Sequence, residues 1–577
     1  AALALLCSSA AAMVVWKWLG KRQIQKQMEE ARRTRDEGVK KIAKAVQQFR
    51  EQVPSVQTDA ILSLPLLELT GRLQEGSLSP KTVLYTYLEK ALEVTQQTNC
   101  LRHFIPECEE QLQEIQQQRE KGLLYGIPVS IKDHISHKGH LSTCGLVQHV
   151  GTLVQEDSIL VKVLKRQGAI PFAMTNVPQS LFNYDCSNPV FGQTLNPFNH
   201  QKSPGGSSGG EGALIAGGGS ILGIGSDVGG SIRLPSSFCG LCGLKPTAER
   251  LSVWRTCLLN VDICSRPTPV PCALGPMARD VDSLALCMKA LLCEEMFQLD
   301  PTVPPIPFNE EVYSSSAPLR IGYYDTDGYF PLPPCMRRAV WETRGALQAA
   351  GHQLVPFSPP RIHYVMTELF LKTFFADGGG AWLDLFTGDI VDPSLKSQVN
   401  SCKIPKLGKK LLALILKPLV RFMQFLLLLK LKNVATISTC RSVKEMWNHH
   451  HEIEVYRTEF IAQWRELQLD VVLCPVLGPA FTTGYPGKLL TAISSTMLYN
   501  VLNFPAGVVP VSMVTEADEE ELKLYRGCCD DPWDRTLKQA VAGAVGLPVA
   551  VQCVALPWRE ELCLRLMKEV ETLSREK

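Results

Sequence analysis

Two serines in one glycine-rich stretch are the candidates for reactive chemistry in this sequence. Residues 205–235 read GGSSGGEGALIAGGGSILGIGSDVGGSIRLP. A stretch so rich in glycine and serine can be a flexible linker, a phosphate cradle or a backbone bent around a reactive serine. A linker is polar throughout, whereas residues 213–216, 221–224 and 231–235 form apolar blocks that need a core to cover them. A dinucleotide fingerprint requires G-x-G-x-x-G between a strand and a helix. Here Gly223-Ile-Gly225 is followed by Ser226, Asp227 and Val228, so the third glycine is misplaced, and no G-x-x-x-x-G-K-[ST] occurs. A reactive serine remains.

That reading has two versions. Gly205-Gly-Ser207-Ser-Gly209 matches the G-x-S-x-G elbow of α/β-hydrolases. It would make the protein a lipase or esterase with Ser207 as nucleophile and a downstream His as base. His352, His363 and His449-His-His451 are available. In the second version the nucleophile is Ser231, the end of Asp227-Val-Gly-Gly-Ser231. The N–H groups of Val228, Gly229, Gly230 and Ser231 could then converge on a carbonyl oxygen as an oxyanion hole. Ser231 still needs a base, because a serine hydroxyl is a weak nucleophile unaided. Asp227 and Arg233 read as a pair that braces the loop.

The elements that would position these groups alternate between helix and strand. Apolar, β-branched runs at 125–131, 169–174, 322–324, 471–474 and 549–554 read as buried strands. Amphipathic patterns at 64–74, 80–94, 158–167, 337–350 and 558–573 read as helices. The first of these strands runs into Lys132-Asp133. This alternation predicts an α/β protein with a largely buried sheet. With 577 residues, 45% of them hydrophobic, the chain can bury a large core, and a net charge of +2 gives no argument for nucleic acid.

The 20 cysteines are scattered without a regular framework, as expected in a reducing compartment. Cys239-Gly-Leu-Cys242 has metal spacing but no second pair nearby, so buried thiols are expected. His134, His137 and His140 lack a carboxylate or cysteine to complete a metal site, and His449-His-His451 reads as a solvated helix face. No metal or cofactor is expected.

Two segments suggest a membrane. Residues 1–16 carry no charge and precede Lys17, Lys21 and Arg22, which predicts an N-terminal anchor with the remainder on the cytoplasmic side. Residues 20–49, dense in charge, read as an exposed helix. From 393 to 444 there is no Asp or Glu but there are eleven Lys or Arg. Within it, residues 406–417 sort lysines and leucines onto opposite helical faces, and Pro418 divides them from an apolar run at 419–431. A basic amphipathic helix pair of this kind suits an anionic bilayer surface.

Three motifs resemble one family in order and spacing: Gly126-Ile-Pro-Val-Ser-Ile-Lys132-Asp133, Gly205-Gly-Ser207-Ser208-Gly-Gly, and Ser226-Asp-Val-Gly-Gly-Ser231-Ile-Arg233-x-Pro235. With Gly243-Leu-Lys-Pro246 downstream, the chain from about 61 to 567 resembles the amidase-signature hydrolases, and within them the membrane-bound enzymes that cleave lipid amides. The resemblance implies a large twisted mixed β-sheet core surrounded by helices, with an N-terminal membrane helix. It implies a transmembrane anchor at 1–19, a charged helical linker at 20–60, a catalytic domain at 61–577 and an inserted membrane-binding cap at 404–433.

For the chemistry it implies a triad with Lys132 as base, Ser207 as relay and Ser231 as nucleophile, burial lowering the pKa of Lys132. Leu181 and Phe182 should lie near the active site, and Tyr329, Phe375, Ile493, Met497 and Trp533 should line an acyl-chain channel. Substrates would be fatty-acid amides, and the enzyme a homodimer on the endoplasmic reticulum and other intracellular membranes. Leu181 and Ser226 depart from the family pattern, where Met and Thr are usual, and residues 254–273 form a longer, Pro- and Cys-rich loop. A catalytically degenerate membrane scaffold is the non-enzymatic alternative.

Overall fold

A computed structural model of the chain describes residues 2–118, 120–256, 269–404, 440, 442–527 and 531–576. The helix pair expected at 406–431, and most of the variant loop at 254–273, lie outside the described residues. The strands are β1 (Leu101–Phe104), β2 (Pro128–Lys132), β3 (Ile170–Thr175), β4 (Ser187–Asn188), β5 (Gly192–Gln193), β6 (Leu222–Asp227), β7 (Cys242–Lys245), β8 (Ala273–Ala278), β9 (Arg320–Tyr323), β10 (Gln353–Pro356), β11 (Val471–Pro475), β12 (Ala506–Met513) and β13 (Pro548–Ala555). All but β4 and β5 join one 11-stranded sheet in the order β1-β3-β2-β6-β8-β7-β12-β13-β11-β9-β10. The sheet is mixed: β2 runs parallel to β3 and β6, while β8, β7 and β12 are antiparallel to their neighbours. Helices surround it.

The central strands are buried along their whole length in β2, β3, β6, β8 and β11. That explains why the runs that became β2, β3 and β11 are continuously apolar rather than alternating. Among the described residues, the five strands and five amphipathic helices expected from the sequence are present, with ends displaced by local chemistry. β2 begins at Pro128 rather than 125 because Gly126 has φ +76° and Ile127 closes a turn onto Leu124. The last helix, Glu560–Arg575, starts after Trp558, which sits at φ +64°. The helix Ile159–Arg166 is capped by Ser158, whose hydroxyl accepts the Val161 N–H.

The N-terminal region differs from expectation. Ala2–Gln52 is one continuous helix, about 75 Å long at 1.5 Å per residue. Its charged part is helical and mostly exposed, as expected, but docks on the rest of the chain along one stripe. Ile42, Val46 and Phe49 enter the main core, and Ala31 packs with Val147, Val190 and Phe191. Arg32 Nε donates to the Val190 carbonyl at 2.6 Å, and Arg50 pairs with Glu89 at 2.7 Å. The apolar positions are sparse enough for the charge around them to hide the stripe. Towards its start Val15, Trp18 and Leu19 are exposed. No described helix is long and apolar enough to cross a membrane.

Candidate active site

Parallel pairing sets the site. β2 and β6 run side by side with Ile131 opposite Ile224, so their carboxyl ends bring Lys132 beside Ser226 and Asp227. In open α/β sheets this end of the strands is where ligands bind. Ser207 and Ser208 lead into the helix Gly209–Ala216, which packs between these strands and the helix Arg233–Phe238. Gly205, at φ +82°, approaches Pro235 so closely that a Cβ would lie 2.7 Å from its Cα. Only glycine lets the serine loop sit here.

Lys132 is fully buried, deeper than the strand-end position suggests. Its Nζ donates to Ser207 Oγ at 2.7 Å and to Ser226 Oγ at 2.9 Å. Asp133 anchors the strand end: it meets Arg102 Nε at 2.5 Å and accepts the Thr143 and Cys144 N–H groups. The Ser208 N–H donates to the Ser231 carbonyl at 3.1 Å, which ties the two serine segments together.

Ser226 was legible only as a departure from the family pattern, and its contact with Lys132 gives that position a purpose. Glu211 had no signal in the sequence. It is buried one helical turn beyond Ser207, with Oε2 2.5 Å from Ser130 Oγ and Oε1 accepting from Thr175 Oγ1 at 2.9 Å. Burial pushes its carboxyl up to about 8.

Asp227 and Arg233 form the expected pair, with contacts of 2.9 and 3.0 Å and both side chains fully buried. The Arg233 guanidinium holds the Asp227 carboxyl far below the usual carboxylate range, outweighing the opposing effect of burial. Asp227 also accepts the N–H groups of Gly230 at 2.7 Å and Ile232 at 3.1 Å. This corrects one member of the expected oxyanion hole. Gly230 gives its N–H to Asp227, because the carboxylate sits inside the turn. Among the described residues the N–H groups of Val228, Gly229 and Ser231 have no such acceptor.

Ser231 opens onto a small cavity of about 90 Å³ whose lining includes Leu181, Phe182, Val228, Gly229, Phe375, Ile493 and Met497. A second cavity of about 540 Å³ shares Phe375 and Leu371 with it and is lined by Tyr329 and Trp533. The expected acyl-channel residues thus divide between two adjoining spaces. Tyr329 and Trp533 line only the second one. Phe182, Phe374, Phe375 and Trp382 pack as a ring cluster, and Ser180 and Leu181 beside it are both at φ +59°. Two consecutive non-glycine residues in that region are strained, as is common beside binding sites.

Among the described residues no histidine bonds to Ser207, whose hydroxyl meets Lys132. His352 faces Glu569, His363 meets the Tyr329 ring at a 60° tilt, and His449 bonds Thr373. His449 is buried rather than on a solvated face, because its helix packs on the segment carrying Thr373. Cys239 and Cys242 are buried free thiols. Among the described residues no group of three or more His, Cys, Asp or Glu could hold a metal ion.

Residues 82–564 match the family described as Amidase. The chain belongs to the amidase family. It is 51% identical over 99% of its length, and 96% of the relative's, to fatty-acid amide hydrolase 1 of Sus scrofa. It is 60% identical over 78% of its length, and 94% of the relative's, to vitamin D3 hydroxylase-associated protein of Gallus gallus. Among solved structures, a fatty acid amide hydrolase superposes with a TM-score of 0.76 at 25% identity, covering 95% of both chains. The amidase fold expected from the three motifs is therefore present, with its mixed sheet surrounded by helices.

Proposed function

We propose that this amidase hydrolyses fatty-acid amides, acyl ethanolamides and primary amides alike, to fatty acid and amine through an acyl-enzyme on Ser231. The buried contact between Lys132 Nζ and Ser207 Oγ carries the reading, because it gives Ser207 a basic partner that is not histidine. Neutral Lys132 takes the Ser207 proton as Ser207 takes that of Ser231. Ser231 Oγ attacks the amide carbon, and the N–H groups of Val228, Gly229 and Ser231 receive the oxyanion. The proton returns through Ser207 to the leaving amine. Water then attacks the acyl carbon, and its proton follows the same relay to restore Ser231. Ser226 orients the lysine.

The two apolar cavities suit a chain longer than the pocket at Ser231 can hold. The high identity to a fatty-acid amide hydrolase across nearly the whole chain supports the same substrate class. In this reading residues 1–19 and 404–433 attach the enzyme, as a homodimer, to intracellular membranes such as the endoplasmic reticulum, with the catalytic domain of 61–577 on the cytoplasmic side. The exposed Trp18 and Leu19, and the basic leucine-rich composition of 404–433, support attachment. Purified enzyme offered a long-chain acyl ethanolamide and a short aromatic amide in competition should prefer the former by at least about tenfold in kcat/KM, a difference a few buried methylenes supply. Preference for the short amide would overturn the substrate assignment.

A further inference from the structure

The loop that carries Ser231 is held from outside by one short helix, Ser494–Val501. The Thr496 hydroxyl donates to the Gly229 carbonyl at 2.7 Å, and the Thr496 carbonyl accepts Arg233 Nη1 at 2.9 Å. One turn on, Asn500 donates to Asp227 at 2.9 Å and accepts from Arg233 Nη2 at 2.6 Å.

A peptide unit moves as a rigid plane. The plane between Gly229 and Gly230 is pinned at both ends: its C=O by Thr496, and its N–H by Asp227 at 2.7 Å. Pinning matters here because two adjacent glycines leave the backbone free to flip. Rotation at either glycine that the other does not compensate would swing the flanking amides of Gly229 and Ser231, two of the three that remain for an oxyanion, and bonds at both ends of the shared plane oppose it. Gly230 sits at φ +127°, and a Cβ there would lie 2.6 Å from Thr496 Oγ1. The hydroxyl therefore occupies the space a side chain would need, which fits a contact made with the backbone and not with bulk. Thr496 itself is fully buried, and the cavity lining around it is supplied by Ile493 and Met497, not by Thr496.

We propose that Thr496 is a positioning residue for amide cleavage: its hydroxyl fixes the Gly229–Gly230 peptide so that the adjacent N–H groups face the developing oxyanion. The proposal rests on Ser231 as the nucleophile. If Ser231→Ala keeps its turnover, that reading fails by itself, whatever Thr496 variants do.

The test is Thr496→Val in the full chain, assayed with a long-chain acyl ethanolamide. Valine keeps the shape and removes the hydroxyl. The expected result is a kcat lower by about 10- to 100-fold, short of the 10²–10³ lost when an oxyanion donor is removed outright. KM should stay within about twofold, and the rate of fluorophosphonate labelling should fall alongside kcat. Thr496→Ser should recover most of the loss. Should the valine variant not accumulate as folded enzyme, Thr496→Ala reads the same kcat effect without a methyl against the carbonyl. A kcat within about twofold of wild type in the variant lacking the hydroxyl would overturn the proposal, as would equal loss in the serine variant. A rise in KM at constant kcat would do the same, since Thr496 would then only shape the pocket.

Discussion

On one side of Ser231 a group of buried polar side chains is held by bonds of 2.5 to 3.0 Å: Lys132 to Ser207 and Ser226, Glu211 to Ser130 and Thr175, Asp227 to Arg233. On the other side Phe182, Phe374, Phe375 and Trp382 meet only through ring contacts, with centroids 5.1 to 6.4 Å apart. The first wall is directional, and misplacing a reacting group by about 1 Å costs on the order of 10²-fold. Buried polar groups also lose their hydration, so each needs a partner to exist there at all. Apart from the Trp382 Nε1–H, which donates to Ser180 Oγ at 3.1 Å, the second wall depends on non-directional apolar contact, which can reshape around chains of different length. In the function proposed above, chemistry is fixed at the first wall and selectivity is adjustable at the second.

If that division holds, substitutions should separate rate from recognition. Lys132→Ala should have the largest effect, lowering kcat by about 10²–10⁴-fold, the usual contribution of a general base. In wild type, turnover should fall as the pH drops, because a protonated amine has no lone pair to accept the Ser207 proton. The alanine variant should lose that dependence, and an equally steep pH–rate profile in both proteins would remove Lys132 from the role of base. On the apolar wall, Phe375→Leu should raise KM for a long-chain amide by about tenfold or less. It should leave kcat for a short amide unchanged, and a loss of kcat on both substrates would erase the division between the walls.

The smallest effect concerns stability. With the Glu211 carboxyl raised from 4.5 to about 8, the folded protein keeps a proton that the unfolded chain has released across that window. Wild type therefore loses stability as the pH rises from about 5 to about 8. Glutamine mimics the protonated carboxyl and carries no such dependence. Glu211→Gln should melt with wild type near pH 5 and a few degrees above it near pH 8. Melting curves that stay parallel with pH would show that Glu211 is ionised in the fold.

The sequence and the structure agree best where a residue's role follows from its own neighbours in the chain. The place of Lys132 at the end of an apolar strand, and the Asp227–Arg233 pair six residues apart, were legible because strand and turn chemistry are local, whereas the role of Lys132 as base came only from the family resemblance. Glu211 and Thr496 were not legible. Their partners lie 81 and 267 residues away in the chain, and only the sheet order and the helix Ser494–Val501 bring them together. Gly230 was misread because small residues in a turn suggest free amides, while the carboxylate that captures one of them is visible only once the turn has closed. The docked face of the helix Ala2–Gln52 was hidden in the same way: Ile42, Val46 and Phe49 follow helical spacing, but Lys, Arg and Glu crowd the positions between.

The central claim is that Ser231, not the serine of the G-x-S-x-G elbow, forms the covalent bond to substrate. Fluorophosphonate labelling of the full chain, followed by peptide mass spectrometry, tests it most directly. The adduct should fall on the peptide containing Ser231 and be absent from Ser231→Ala, while Ser207→Ala should label more slowly at the same residue. An adduct on Ser207, or undiminished labelling of Ser231→Ala, would contradict the account.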